Sequence, residues 1–236
     1  MIYVMGIVSI LLLSLVLGPM IISDFVWPHI ARDFLLHNGL TDTGASNLVS
    51  AIYLGYRAYD TVGETIVLLA AVTGAVHLIK GFPASVHGSE GLPQKPKRRT
   101  NIISMTTGKL APVVMLFGWY VMFFGHQSPG GGFQGGVVLA SGLLFIALGR
   151  EKHQIESKLD RSGLHIIEVS SLFLILLLVS LPLVFGASIL ENPFSTTDET
   201  IPRVIYMIGF NMAIGLKVGS GLTLLGLLMM DMKHDD

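Results

Sequence analysis

The sequence predicts an all-α polytopic membrane protein with about six transmembrane helices and both termini in the cytoplasm. Three observations lead there. Of 236 residues, 51% are hydrophobic and only 13% are charged, about half of the ~25% charge usual in a soluble domain. Apolar runs recur at lengths near the roughly 20 residues that cross a bilayer. The Lys and Arg residues then alternate between rich and poor connections, as the positive-inside rule requires.

The spans follow in order: Ile2–Ile22, Thr61–Lys80, Ile102–Phe124, Phe133–Gly149, Leu164–Phe185 and Val204–Met230. The first lacks a basic segment before it and is longer than a signal-peptide core, so a retained span is expected. Lys80, Lys95, Lys97, Arg98 and Arg99 flank the second connection; Arg150, Lys152, Lys158 and Arg161 lie in the fourth, and Lys233 in the tail. These belong in the cytoplasm. The first, third and fifth connections carry only Arg32, Arg57 and Arg203 and belong outside. Within the long first external loop, 23–60, the run ASNLVSAIYLGYRAYD has helical potential and is expected on the membrane surface or against a partner. Gly81–Asn101, rich in Gly, Pro and basic residues, reads as a cytoplasmic linker. The loop Gly186–Arg203, with Pro193 and Pro202, is expected to be irregular. The sequence contains no cysteine, which excludes disulfides, cysteine-bound clusters and cysteine zinc sites within it. A net charge of −1 implies no polyanion-binding surface, hence no nucleic-acid partner.

Between the third and fourth spans stands GHQSPGGGFQGG, Gly125–Gly136. Gly130, Gly132 and Gly135 satisfy G-x-G-x-x-G, but a dinucleotide turn needs a strand before it and a βαβ unit around it. Here both flanks are membrane helices, so no nucleotide is expected. The stretch reads instead as a tight connection and helix-packing motif comprising Gly125, His126, Pro129, Gly130, Gly131, Gly132, Gly135 and Gly136. Two small-xxx-small pairs, Gly132 with Gly136 and Gly131 with Gly135, suit close helix approach. His126 titrates near neutral pH and reads as structural or, alternatively, as a ligand.

Ionisable groups inside a bilayer are costly and mark pairing or function. Lys217 is the deepest, on the order of 20 Å from the outer end of its span at 1.5 Å per residue. Gly209, Ala213, Lys217 and Gly221 share one face, so Lys217 points at a neighbouring helix or a wet cavity. It is a clamp or an ion-path group, unless the span ends lie elsewhere. Asp60 and Glu64 share a helix face at the external mouth. They either attract a cation, with Thr61 and Thr65 adding oxygens, or cap the helix. Lys109 in the third span can snorkel to the cytoplasmic surface. Glu168 and His165 in the fifth are a proton-carrying pair or an interfacial one, and His77 is similarly ambiguous. The expected cation or proton path therefore comprises Glu64, Lys217, Asp60, Lys109, Glu168 and His165. No nucleophile elbow or H-E-x-x-H occurs, so no catalytic residues, metal or cofactor are expected.

The stretches GHQSPGGGFQGGVVLASGLLFIALG and NMAIGLKVGSGLTLLGLLMM resemble the B subunit of Mrp-type multisubunit Na⁺/H⁺ antiporters, over about Thr100–Asp236. YRAYDTVGETIVLLAAVTGAVHLIK resembles the C-terminal tail of the large A subunit of those antiporters. It also resembles a small subunit of membrane-bound hydrogenases and sulfur reductases. The family's D-T-x-G-E motif is matched by Asp60, Thr61, Gly63 and Glu64, which raises Glu64 as a site residue. The resemblance implies a fusion: a two-helix module at 1–81, a basic linker at 82–101 and a four-helix B-like module at 102–236. It implies a non-enzymatic, multi-pass subunit of a prokaryotic cytoplasmic membrane. Its partners would be other membrane subunits, Na⁺, H⁺ and lipid, within a stand-alone antiporter or a redox-driven complex. The alternatives are a non-conducting scaffold in such a complex and a self-sufficient small transporter.

Overall fold

The computed structural model describes residues 7–8, 10–15, 18, 29–81, 101–149, 161–186, 189–190, 192–194 and 200–232. Among these there is no β-strand, and the regular elements are all helices. The expected linker and the basic residues of 82–100, 150–160 and 233 lie outside the described residues, as does most of the expected first span. Residues 1–34 and 35–236 form two compact units. In the first unit the described residues 7–8, 10–15 and 18 are helical and, apart from Ser14, apolar.

Helix α1 spans Ile30–Thr43 and ends where Gly44 takes φ 77°, with its N–H bonded to the Leu40 carbonyl at 2.8 Å. That left-handed stop suits glycine. The next turn starts at Asn47, whose side chain accepts from the Val49 N–H, and runs into a π-helix, Ala51–Tyr56. This segment is helical, as expected, and turned partly inward: Val49 and Tyr59 are exposed, whereas Ala45, Ala51 and Leu54 are buried in the protein's own core beside Met207, Phe210 and Ile214.

Five long helices follow: α2 Ala58–Gly81, α3 Asn101–Phe123, α4 Gly132–Gly149, α5 Arg161–Val184 and α6 Thr200–Met232. Each contains a window apolar and long enough to cross a membrane. The expected irregular loop before the last span is shorter than expected, because α6 already begins at Thr200. Helix α6 is the hub: 61% of its span is buried, against 11% for α2 and for α3. One core cluster joins Ile175 of α5 to Phe210, Ile214 and Val218 of α6. A second, Ala147, Leu164, Leu224 and Leu227, locks α4, α5 and α6 together further along.

Glycines set how closely α4 packs. A Cβ on Gly132 would stand 2.6 Å from the Asn211 carbonyl oxygen, and one on Gly136 would stand 2.6 Å from that of Gly215. On another face of α4, a Cβ on Gly142 would stand 2.6 Å from Met115 Cγ, and one on Gly135 would meet Met122, both on α3. Real side chains at these positions would force the helices apart, so the sequence permits backbone-to-backbone contact here and nowhere as closely along α2.

Candidate functional site

Lys217 sits near the middle of α6 with 0% of its surface exposed. Its Nζ lies 3.6 Å from Oε1 of Glu168, a buried carboxylate on α5. The other oxygen, Oε2, lies 3.8 Å from Nδ1 of His165, one turn back on α5, whose side chain is 55% exposed. The three groups thus run from the fully buried ammonium through the carboxylate to the surface. Neither Lys217 Nζ nor Glu168 Oε1 makes a hydrogen bond. Gly221, one turn beyond Lys217, makes room for the carboxylate: a Cβ there would stand 3.0 Å from Oε1 and 3.7 Å from Val72 of α2. The neighbouring hydroxyls are committed locally, Ser171 to the Ile167 carbonyl and Ser220 to those of Leu216 and Lys217.

Depth and spacing placed Lys217 against another helix, but its partner was not foreseen. Glu168 was coupled in sequence only to His165, and the pair across α5 and α6 has no local signature.

A second polar cluster holds the glycine stretch. Asn211 Oδ1, fully buried on α6, accepts from the Tyr53 hydroxyl at 2.8 Å and from the Gly132 N–H at 2.8 Å. Asn47 donates through Nδ2 to the carbonyls of Gly125 at 2.9 Å and Ser128 at 2.8 Å. Its backbone N–H bonds the His126 carbonyl at 2.9 Å, and the Ser50 hydroxyl also reaches Gly125. A Cβ on Gly131 would strike the Tyr53 hydroxyl. His126 is itself buried, with Nδ1 3.0 Å from the Phe123 carbonyl; burial holds its pKa below the ordinary histidine value. Burial likewise raises the Tyr53 phenol, which keeps it a neutral donor. Asn47, Tyr53 and Asn211 were missed in sequence, although an asparagine inside the apolar run GFNMAIGLK was a visible signal.

The remaining candidates lie apart. Asp60 is exposed and pairs with Arg57 at the start of α2. Glu64, one turn on, is exposed and does not meet Lys217. Thr61 and Thr65 are buried, and their hydroxyls donate to the carbonyls of Tyr53 and Val62. Lys109 is exposed on α3 and His77 on α2. Among the described residues no three His, Cys, Asp or Glu converge as a metal site. A cavity of about 390 Å³ lies between α3, α4, α5 and α6, lined by apolar groups such as Trp119, Leu143 and Ile167.

Residues 102–224 match the domain described as related to the MnhB subunit of Na⁺/H⁺ antiporters. The chain belongs to this family. The matched segment contains the glycine stretch and the whole His165–Glu168–Lys217 array, and it excludes α2 with Glu64. Among its relatives, the B subunit of the Na⁺/H⁺ antiporter of Bacillus subtilis is 31% identical over 100 residues, 42% of this chain and 69% of that one. A putative antiporter subunit mnhB2 of Staphylococcus aureus (strain Newman) is 35% identical over 108 residues, 44% of this chain and 70% of that one. An uncharacterized protein of Methanocaldococcus jannaschii is 29% identical over 208 residues, 78% of this chain and 76% of the other.

Two solved structures share the family fold. One is the membrane-bound sulfane sulfur reductase, an archaeal respiratory membrane complex: TM-score 0.65, 25% identity, covering 96% of this chain and 97% of that chain. The other is the Mrp complex from Dietzia sp. DQ12-45-1b: TM-score 0.68, 19% identity, 95% of this chain and 26% of that chain. This chain thus spans about a quarter of the length of that one.

Proposed function

We propose that the protein is a membrane subunit of a multisubunit monovalent-cation/proton antiporter module, helping to form the Na⁺ or H⁺ path and docking larger antiporter-like subunits. It does no covalent chemistry itself. It crosses the cytoplasmic membrane of a prokaryote six times, with both termini inside, as a two-helix module joined by a basic linker to the B-like module. Where the whole machine is redox-driven, its redox centres sit in other chains. The observation that carries this reading is the fully buried Lys217 ammonium facing a buried carboxylate in the middle of an apolar bundle. Such groups are kept for pairing or for moving ions. Exposed Glu64, about two turns into α2, is a second polar station at the outer mouth.

The scaffold reading is favoured by one feature of the same pair: the two charges offset each other inside the chain and need no ion. Na⁺-dependent proton flux in inverted vesicles, normalised to assembled complex, separates the two. Glu64→Gln is expected to raise the Na⁺ concentration needed for half-maximal flux, and Lys217→Met to abolish cation-dependent proton movement. Wild-type flux and Na⁺ response in both variants would leave only the scaffold.

A further inference from the structure

We propose that His165, Glu168 and Lys217 form a one-sided proton-exchange site, entered where α5 begins, with His165 as its surface acceptor and Lys217 as its resident counter-charge. This rests on the antiporter-module reading and names the door by which a proton enters.

Three observations carry it. Exposure falls in sequence order along the array, from 55% at the His165 side chain to 9% at that of Glu168 and 0% at Lys217. The carboxylate divides its oxygens, Oε2 towards the imidazole at 3.8 Å and Oε1 towards the ammonium at 3.6 Å. The third is that Lys217 Nζ and Glu168 Oε1 are buried without hydrogen bonds. An ammonium has three N–H donors and a structural clamp uses them. Here the ammonium stands 3.6 Å from one carboxylate oxygen, and the missing side chain of Gly221 leaves the carboxylate space beside it.

The step is a proton transfer with no electron change. Bulk solvent protonates the exposed imidazole. A rotamer change of the exposed His165 side chain closes the 3.8 Å gap to Oε2; at hydrogen-bond distance the Nδ1–H bond breaks as Oε2–H forms, and His165 returns neutral to take another proton. Glu168 is then a neutral acid, and the Lys217 charge stands uncompensated at depth. A loaded proton therefore repels any second cation from the site, and its departure restores the attraction. That mutual exclusion is what exchange of H⁺ for a monovalent cation requires. Among the described residues, these charged and apolar groups stand near the array: Arg161 shares its face of α5, Glu168 follows on the same helix, Lys217 comes from α6, and α2 brings the apolar Val72 to the carboxylate.

The test uses the intact complex in inverted vesicles, with Na⁺-driven proton flux followed across pH. His165→Ala, a change at an exposed position, is expected to assemble and to lose flux by about tenfold or more, the scale of a lost proton-transfer group. Millimolar imidazole should restore it, because a diffusible base replaces the missing one. Glu168→Gln should lose flux and gain nothing from imidazole. Wild-type flux in His165→Ala at every pH would overturn the proposal, and so would a slow His165→Ala complex that imidazole leaves slow. Absence of Na⁺-dependent proton movement in the wild-type complex itself would instead remove the antiporter reading, and this inference with it.

Discussion

Lys217 faces a single carboxylate, and that makes its contribution to stability measurable by subtraction. Removing one member of a buried pair strands the other charge, which costs about 3–5 kcal/mol, whereas replacing both with apolar residues of similar size is often neutral. Lys217→Met alone should therefore lower the thermal midpoint of the purified complex clearly. The double variant Lys217→Met with Glu168→Leu should recover most of the loss. A single variant as stable as wild type would mean that Glu168 finds another partner or is already neutral. The two measurements are independent of transport: a complex can regain its stability through the double change and still move no ions. The depth of Lys217 and the small residues spaced four apart on its face were readable from the sequence. Its partner was not, since Glu168 lies on another helix and pairing between helices leaves no periodicity in either one. The same holds for Thr61 and Thr65. Which side of α2 they occupy depends on how the helix is rotated against α6, and an evenly apolar helix does not declare that.

At the scale of the helices, the glycine stretch is explained by what touches it. Gly136→Leu places a side chain where the Gly215 carbonyl stands 2.6 Å from the first added atom, so α4 and α6 must separate. Overpacking of this kind costs on the order of 1–3 kcal/mol or more, and backbone on one side leaves little room to yield. The expected outcome is loss of the monodisperse complex on a sizing column, with Gly136→Ala milder than Gly136→Leu. Unchanged assembly with lost transport would move the role of the stretch from packing to conduction. Helix existence was largely legible, since spans of apolar residues announce themselves. The segment before α2 was not. Its π-helix, Ala51–Tyr56, has no marking residue type in AIYLGY. Nor did the sequence reveal that Asn47 and Asn211 reach the glycine stretch from positions distant in the chain.

For the molecule as a whole, the distribution of basic residues makes a direct topological claim. With no native cysteine, single engineered cysteines at Lys97, Lys152 and Gln127 can be labelled from outside intact cells. Only the last is expected to react with an impermeant reagent; labelling at position 97 would reverse the orientation and with it the side from which His165 is reached. The packing of α4 has a separate consequence for motion. With Gly132 and Gly136 seated on α6, and Gly135 and Gly142 seated on α3, α4 is geared to both neighbours at once. Turning it about its axis in either direction drives backbone into backbone. Helices α3, α4 and α6 must then travel together as one block, like three cogs jammed on a common tooth. The contacts of α2 and α5 with α6 run instead through longer side chains that can change rotamer, so any adjustment against the block falls to side chains rather than backbone. The Lys217 ammonium is carried by that block and the Glu168 carboxylate by a side chain on α5, so a rotamer change of Glu168 alone is enough to open or close the charge pair.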